Sequence, residues 1–199
     1  MKAVIFDLGG VVVRWDPERF SRDYLQNEVE KKDVLLRLLG HDDWRRFDGG
    51  FLSEDELMQA FCARSSVSQE RTIEIIECIK QSLELIEETN ELIYELKAAG
   101  VPLYCISNMS FAHYDFLREK YDFFECFNDQ VISSHVKMTK PDKNIYELAI
   151  QQFGVDPQST VFVDDREDNI LAAESCGLGV VHFERSATCR QNIRDFVGI

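Results

Sequence analysis

Asp7 closes a short apolar run, Ala3-Val4-Ile5-Phe6, and is followed by Leu8-Gly9-Gly10-Val11. A carboxylate at the end of a buried strand is costly unless its charge is used. In that position it can act as a metal ligand, a base or a nucleophile. The paired glycines allow a sharp turn and a close backbone approach to a ligand. Three later segments repeat the pattern of polar residues just after an apolar run. Ser107-Asn108 follows Leu103-Tyr104-Cys105-Ile106 and precedes a helical pattern starting near Phe111. A hydroxyl and backbone N–H groups at a helix mouth are suited to hold a phosphate. Lys140-Pro141 follows the run near Val131, and Pro141 suits a first helical position. Lys140 then opposes the helix dipole, which a local anionic partner would explain. Asp164-Asp165 end Val161-Phe162-Val163, with Asp168 and Asn169 one turn later. Two adjacent carboxylates repel unless a cation is present, and a few hard oxygen ligands suit Mg²⁺, which also accepts substrate phosphate. Each segment alone has an ordinary reading, a helix cap or a solvated lysine. Together they supply a nucleophile, a phosphate hook, a counter-cation and a metal cradle.

These residues converge only if the elements carrying them share one sheet. Apolar, β-branched or aromatic runs at 2–6, 101–106, 130–133, 160–163 and 179–183 predict five strands. Helical patterns at 87–99, 111–120, 142–153 and 167–176 precede the last four, three of them closing on Gly100, Gly154 and Gly177. The alternation predicts βαβ units, hence an α/β protein with a Rossmann-like parallel sheet covered by helices on both faces. Ligands of such sheets bind beyond the carboxyl ends of the strands. From about 16 to 85 there is no strand pattern. Pro17, the capping box Ser53-Glu54-Asp55-Glu56, and Ile73, Ile76, Ile79 and Leu83 at helical spacing predict an all-α insertion. The expected organisation is a core of 1–15 and 86–199 with a helical domain at 16–85.

The 199 residues carry 45% hydrophobic and 29% charged side chains, the balance of a soluble globular protein. A formal net charge of −14 argues against nucleic-acid or anionic-membrane partners, because no surplus of Lys and Arg is available for phosphates. A small anionic substrate needs only a local positive site. The six cysteines include no C-x-x-C pair and fit reduced thiols in a cytoplasmic protein. No apolar stretch approaches the 18 or so residues of a membrane span.

The motifs Phe6-Asp7-Leu8-Gly9-Gly10-Val11, Ile106-Ser107-Asn108, Lys140-Pro141 and Phe162-Val163-Asp164-Asp165-Arg166-Glu167-Asp168-Asn169-Ile170 resemble, in this order, those of the haloacid dehalogenase-like superfamily. The helical insertion looks like that superfamily's small α-helical cap. The form of the motifs is most similar to the branch of bacterial α-glucose-1-phosphate phosphatases and the N-terminal phosphatase domain of soluble epoxide hydrolases. The resemblance implies an Mg²⁺-dependent phosphatase of small phosphorylated metabolites. In it Asp7 forms an aspartyl-phosphate that water hydrolyses. Magnesium is held by Asp7, the main-chain carbonyl of Gly9, Asp165 and, in support, Asp164. Ser107 and the Asn108 N–H bind phosphoryl oxygens, and Lys140 neutralises their charge.

One departure matters. Phosphatases of this superfamily usually carry a second Asp two residues after the nucleophile, as general acid, and here that position is Gly9. General acid catalysis is worth about 10²–10⁴-fold, and its loss hurts least when the leaving oxygen is already acidic, as in a sugar 1-phosphate. Asp16, His41 and Asp48 are the candidate substitutes from the insertion. A 2-haloacid dehalogenase, which also lacks the second Asp, is one alternative, and a catalytically weak phosphometabolite-binding protein is another. Asp164-Asp165 disfavour the first, since two carboxylates beside an anionic substrate need a cation. Retention of Asp7 disfavours the second. The aromatics from Phe111 to Phe127 are read as packing residues, Trp15 and Trp44 as either packing or substrate contacts, and His113 and His135 show no pattern of a metal site or a triad.

Overall fold

In the computed structural model, which describes residues 2–199, β1 (Ala3–Phe6) leads into five helices. These are α1 (Pro17–Tyr24), α2 (Glu28–Asp33), which continues as a π-helical stretch Val34–Leu39, α3 (Asp42–Asp48), α4 (Glu54–Arg64) and α5 (Gln69–Ser82). Then α6 (Glu87–Ala98), β2 (Leu103–Ser107), α7 (Phe111–Lys120), β3 (Asp129–Ile132), α8 (Ser133–Val136), α9 (Lys143–Phe153), β4 (Thr160–Asp164), α10 (Glu167–Ser175), β5 (Gly179–His182) and α11 (Ala187–Val197) follow. The strands form one sheet of order β3-β2-β1-β4-β5, every neighbouring pair parallel.

Alternation along β1 builds two apolar layers, because successive strand residues face opposite ways. Val4 and Phe6 pack with Leu92, Ile93 and Leu96 of α6 and Ile193 of α11. Ile5 packs on the other face with Ile145 and Tyr146 of α9 and Ile170 and Ala173 of α10. A third cluster lies wholly within the helices that follow β1 and includes Phe20, Leu38, Trp44, Phe47, Leu57, Phe61, Ile75 and Ile79. Trp15 packs against both this cluster and the first sheet layer. The two passages between sheet and helices run side by side. Val13 and Leu85 form an antiparallel bridge, Arg14 N–H donates to the Glu84 carbonyl at 2.7 Å, and Ile86 N–H donates to the Val12 carbonyl at 2.9 Å.

The expected α/β class, parallel sheet and capping box at Ser53 are all present. Four details differ. Pro141 precedes the N-cap of α9 rather than opening it, because Asp142 caps instead, accepting the Asn144 N–H at 3.0 Å. Ser133 is not the end of a strand but the first residue of α8. On α5 the buried face is Thr72, Ile75, Ile76 and Ile79, while Ile73 is 51% exposed. Thr72 tolerates burial because its hydroxyl donates to the Ser68 carbonyl at 2.9 Å, which removes the polar penalty that sequence patterning assigns it. Helix α11, absent from the expected elements, buries Cys189 and Ile193.

Ile5 is completely buried in the central strand. Ile5→Ala is expected to lower unfolding free energy by about 2–5 kcal/mol, read from the urea midpoint at unchanged slope.

Candidate active site

The strand order reverses beside β1: the chain runs outward through β2 and β3, then returns to the other side for β4 and β5. A crevice opens at such a switch point. Phe6 pairs with Val163, so Asp7, just past β1, stands next to Asp164, the last residue of β4. The Asp7 N–H donates to the Val163 carbonyl at 2.9 Å, and its Oδ1 accepts the Leu8 N–H at 2.7 Å. The main chain of Asp7 is thus tied to β4, and its carboxylate to the N–H that follows it.

Lys140 joins the two strand ends. Its Nζ lies 2.9 Å from Asp7 Oδ1 and 2.6 Å from Asp164 Oδ2, and all three side chains are buried. Burial opposes the lysine charge, but Asp164 and then Asp7 outweigh it and hold Lys140 above its ordinary value. Asp7 is pushed up to about 7, chiefly by burial, against the pull of Lys140 and with the repulsion of Asp164 and Asp165 added. Asp164 is held further by Asn169, whose Nδ2 donates to both carboxylate oxygens at 3.0 Å.

The sequence-derived residues divide in what they do here. Asp7, Lys140, Asp164 and Asp165 come together. Ser107 ends β2 and is buried. The Asn108 side chain is committed elsewhere: Nδ2 donates to the Lys140 carbonyl at 2.9 Å and Oδ1 accepts the Lys140 N–H at 2.8 Å. It braces the lysine loop. Asp168 turns outward onto Arg166 at 2.8 Å. Asn169 lay in the motif without an assigned role, although five residues from Asp164 its side chain falls on the first turn of α10.

Asp7, Asp164 and Asp165 each offer an oxygen within 4.8 Å of the others. Lys140 compensates one of these three charges. Partial enclosure first, and Asp164 second, hold Asp165 above the usual carboxylate range. Hard oxygen donors that repel one another fit a divalent cation such as Mg²⁺. Gly10 shapes this cradle. Its φ of +82° is a left-handed conformation, and a Cβ there would overlap the Asp165 carboxylate.

The helical segment reaches the same place. Trp44 of α3 stacks on Trp15, with ring centroids 5.7 Å apart and an interplanar angle of 16°. Trp15 also borders Gly9: a Cβ at Gly9 would lie 3.6 Å from the Trp15 Cβ. His113 of α7 packs between Trp44 and Phe47 at 5.7 and 5.5 Å. Burial lowers it to about 3, so it is a neutral aromatic filler. Asp48 ends α3, and its main-chain carbonyl accepts the Ser133 hydroxyl at 2.5 Å. Desolvation holds its carboxyl well above the ordinary carboxylate range, and the Asp7 charge pushes the same way.

All six cysteines are free thiols, and no helix of the described residues is long and apolar enough to cross a membrane. Residues 1–177 match the model of the haloacid dehalogenase-like hydrolase family. The chain is 28% identical over 198 residues to a sesquiterpene phosphatase of Aspergillus oryzae, covering 99% of this chain and 97% of that one. It is 23% identical over 221 residues to a D-ribitol-5-phosphate phosphatase of Bacteroides thetaiotaomicron, covering 97% of each. Its fold superposes on a haloacid dehalogenase family enzyme of B. thetaiotaomicron, solved as a magnesium complex, with a TM-score of 0.78 at 20% identity over 98% of each chain.

Gly10→Ala is expected to destabilise the protein by more than about 1 kcal/mol, since Ala is strained at positive φ. Mg²⁺ is expected to raise the melting temperature of the unmodified protein, and displacement of Asp165 to shrink that rise. Thermal denaturation with and without the cation checks both effects.

Proposed function

The chain belongs to the haloacid dehalogenase-like hydrolases, and we propose that it is an Mg²⁺-dependent phosphatase working through an aspartyl-phosphate on Asp7. One observation carries this reading: Lys140 holds Asp7 beside Asp164, with Asp165 completing a carboxylate cradle at the strand ends. The unshared Asp7 oxygen attacks phosphorus, and the ester oxygen departs on the opposite side. Lys140 orients the nucleophile and offsets the charge that gathers on the transferring group. The Ser107 hydroxyl and the Asn108 N–H hold phosphoryl oxygens, while the Asn108 side chain fixes the loop carrying Lys140. Asp7, the Gly9 carbonyl and Asp165 would hold magnesium, with Asp164 in support, and the cation supplies further charge neutralisation at phosphorus. Water then hydrolyses the aspartyl-phosphate and restores Asp7.

The helices between β1 and α6 are proposed as a cap, residues 16–85, over a core of 1–15 and 86–199. A cap at the strand ends keeps bulk water and macromolecules out, which favours small phosphorylated metabolites over phosphoproteins. Gly9 supplies no proton donor. The esters that the core alone serves best are therefore those with acidic leaving oxygens, sugar 1-phosphates foremost. A second reading of the alcohol has its own support. Trp15, half-buried and stacked on Trp44, gives the site an aromatic wall, and the similarity to a sesquiterpene phosphatase fits an apolar isoprenoid alcohol there. The acidic chain and its free thiols fit a cytoplasmic enzyme without a nucleic-acid partner.

The test is phosphate release from sugar 1-phosphates, sugar 6-phosphates and a prenyl monophosphate, in Mg²⁺ and in EDTA. Turnover is expected in Mg²⁺ only, and Asp7→Asn should abolish it. Halide release from 2-chloropropionate without phosphate release from any ester would replace this reading with the dehalogenase one.

A further inference from the structure

Ser133, the completely buried first residue of α8, carries one hydroxyl proton and is engaged from two sides. Its Oγ accepts the Met109 N–H at 2.8 Å and donates to the Asp48 carbonyl at 2.5 Å. A second acceptor, the Met109 carbonyl, lies 3.4 Å away. Met109 follows Ser107-Asn108 in the loop after β2, and Asp48 ends α3. One side chain thus touches the proposed phosphate hook and the helical segment at once.

The neighbouring contacts lie at the surface. Lys137 closes α8 with a left-handed φ of +57°, and its ammonium donates to the Gly50 carbonyl. The same ammonium lies 5.5 and 5.2 Å from the ring centroids of the exposed Phe51 and Phe111. Gly50 has a φ of +70°, and a Cβ there would press on the Ser134 backbone, so the two main chains meet directly. Cation–π contacts at exposed sites are individually weak, so this seat can be left as well as taken. Were α3 to lift, the Asp48 carbonyl would withdraw from the Ser133 proton. A buried donor left unpaired is costly, and the Met109 carbonyl is the acceptor within reach.

We propose that Ser133 is a positioning residue that couples the seating of α3 to the grip of the loop after β2 on phosphate. The proposal rests on the phosphatase reading and deepens it. With α3 seated, the hydroxyl proton goes to Asp48, and Met109 is held through its N–H. In that arrangement the Ser107 hydroxyl and the Asn108 N–H are set for phosphoryl oxygens. With α3 lifted, the proton turns to the Met109 carbonyl and draws the loop out of that arrangement. Phosphate therefore favours the seated state. Seating strengthens phosphate binding by the same factor, because a coupling free energy acts in both directions.

The test is a double-mutant cycle on the full chain in Mg²⁺, read as the dissociation constant of inorganic phosphate by titration calorimetry. Lys137→Met weakens the seat and leaves the Ser133 contacts with Met109 in place. It is expected to raise the constant at least about 5-fold in the unmodified background, but less than about 2-fold beside Ser133→Ala, where the link is cut. Ser133→Cys, similar in size but a weak donor, takes the place of Ser133→Ala if that variant folds poorly. An equal rise in both backgrounds would make Lys137 a distant charge on phosphate and Ser133 a structural residue, and so overturn the proposal. No rise in either background would overturn it too. Unmodified protein that neither binds phosphate nor releases it from 4-nitrophenyl phosphate overturns the phosphatase reading, and this proposal with it.

Discussion

One ammonium between two buried carboxylates sets the terms for everything around it. Lys140 Nζ lies within 3 Å of both Asp7 and Asp164, and none of the three side chains has water to fall back on. Removing one partner from such a cluster leaves an uncompensated buried charge, which costs about 3–5 kcal/mol. The neighbouring parts serve to hold the cluster in register. Parallel pairing of β1 with β4 places the carboxylates side by side, Asn108 clamps the lysine backbone, and Asn169 fixes Asp164. Tyr146, buried under the sheet, donates its hydroxyl to the Asn169 carbonyl at 3.1 Å and so ties the cluster to the core.

The helices that follow β1 present a contrasting chemistry. Their contribution to the site is aromatic and uncharged: Trp44 and Phe47, with the neutral His113 of the core wedged against them. A low-dielectric roof over a charged floor strengthens each electrostatic interaction at the floor.

The sheet and its helices were legible because most strands are short apolar runs bounded by glycine or polar residues, and helices such as α6 and α9 keep a 3.6-residue apolar period. The residues at the strand ends were legible for a related reason: a carboxylate or lysine closing an apolar run conflicts with local preference, and that conflict marks use. The rest depends on partners distant in sequence. Pro141 looked like a helix start because proline favours that position, yet the competing N-cap, Asp142, is one residue later. The Asn108 side chain had no role assigned from sequence, because the main-chain groups of Lys140 that it holds lie 32 residues away. Asp48 could be named but not ranked, since its position is fixed by Ser133 across 85 residues of sequence.

The joint between cap and sheet has mechanical consequences. Were the two connecting passages separate tethers, the cap could slide, tilt or twist over the sheet. They are instead laced together at Val12–Val13–Arg14 and Glu84–Leu85–Ile86. A laced pair resists sliding of one strand past the other and bends most readily as a single leaf, with its few residues absorbing the change in backbone angles. Any displacement of the helical segment against the sheet would then follow one rocking coordinate, with the contacts of Asp48 and Gly50 on Ser133 and Lys137 at its far end. Opening for substrate and release of product would share that stroke.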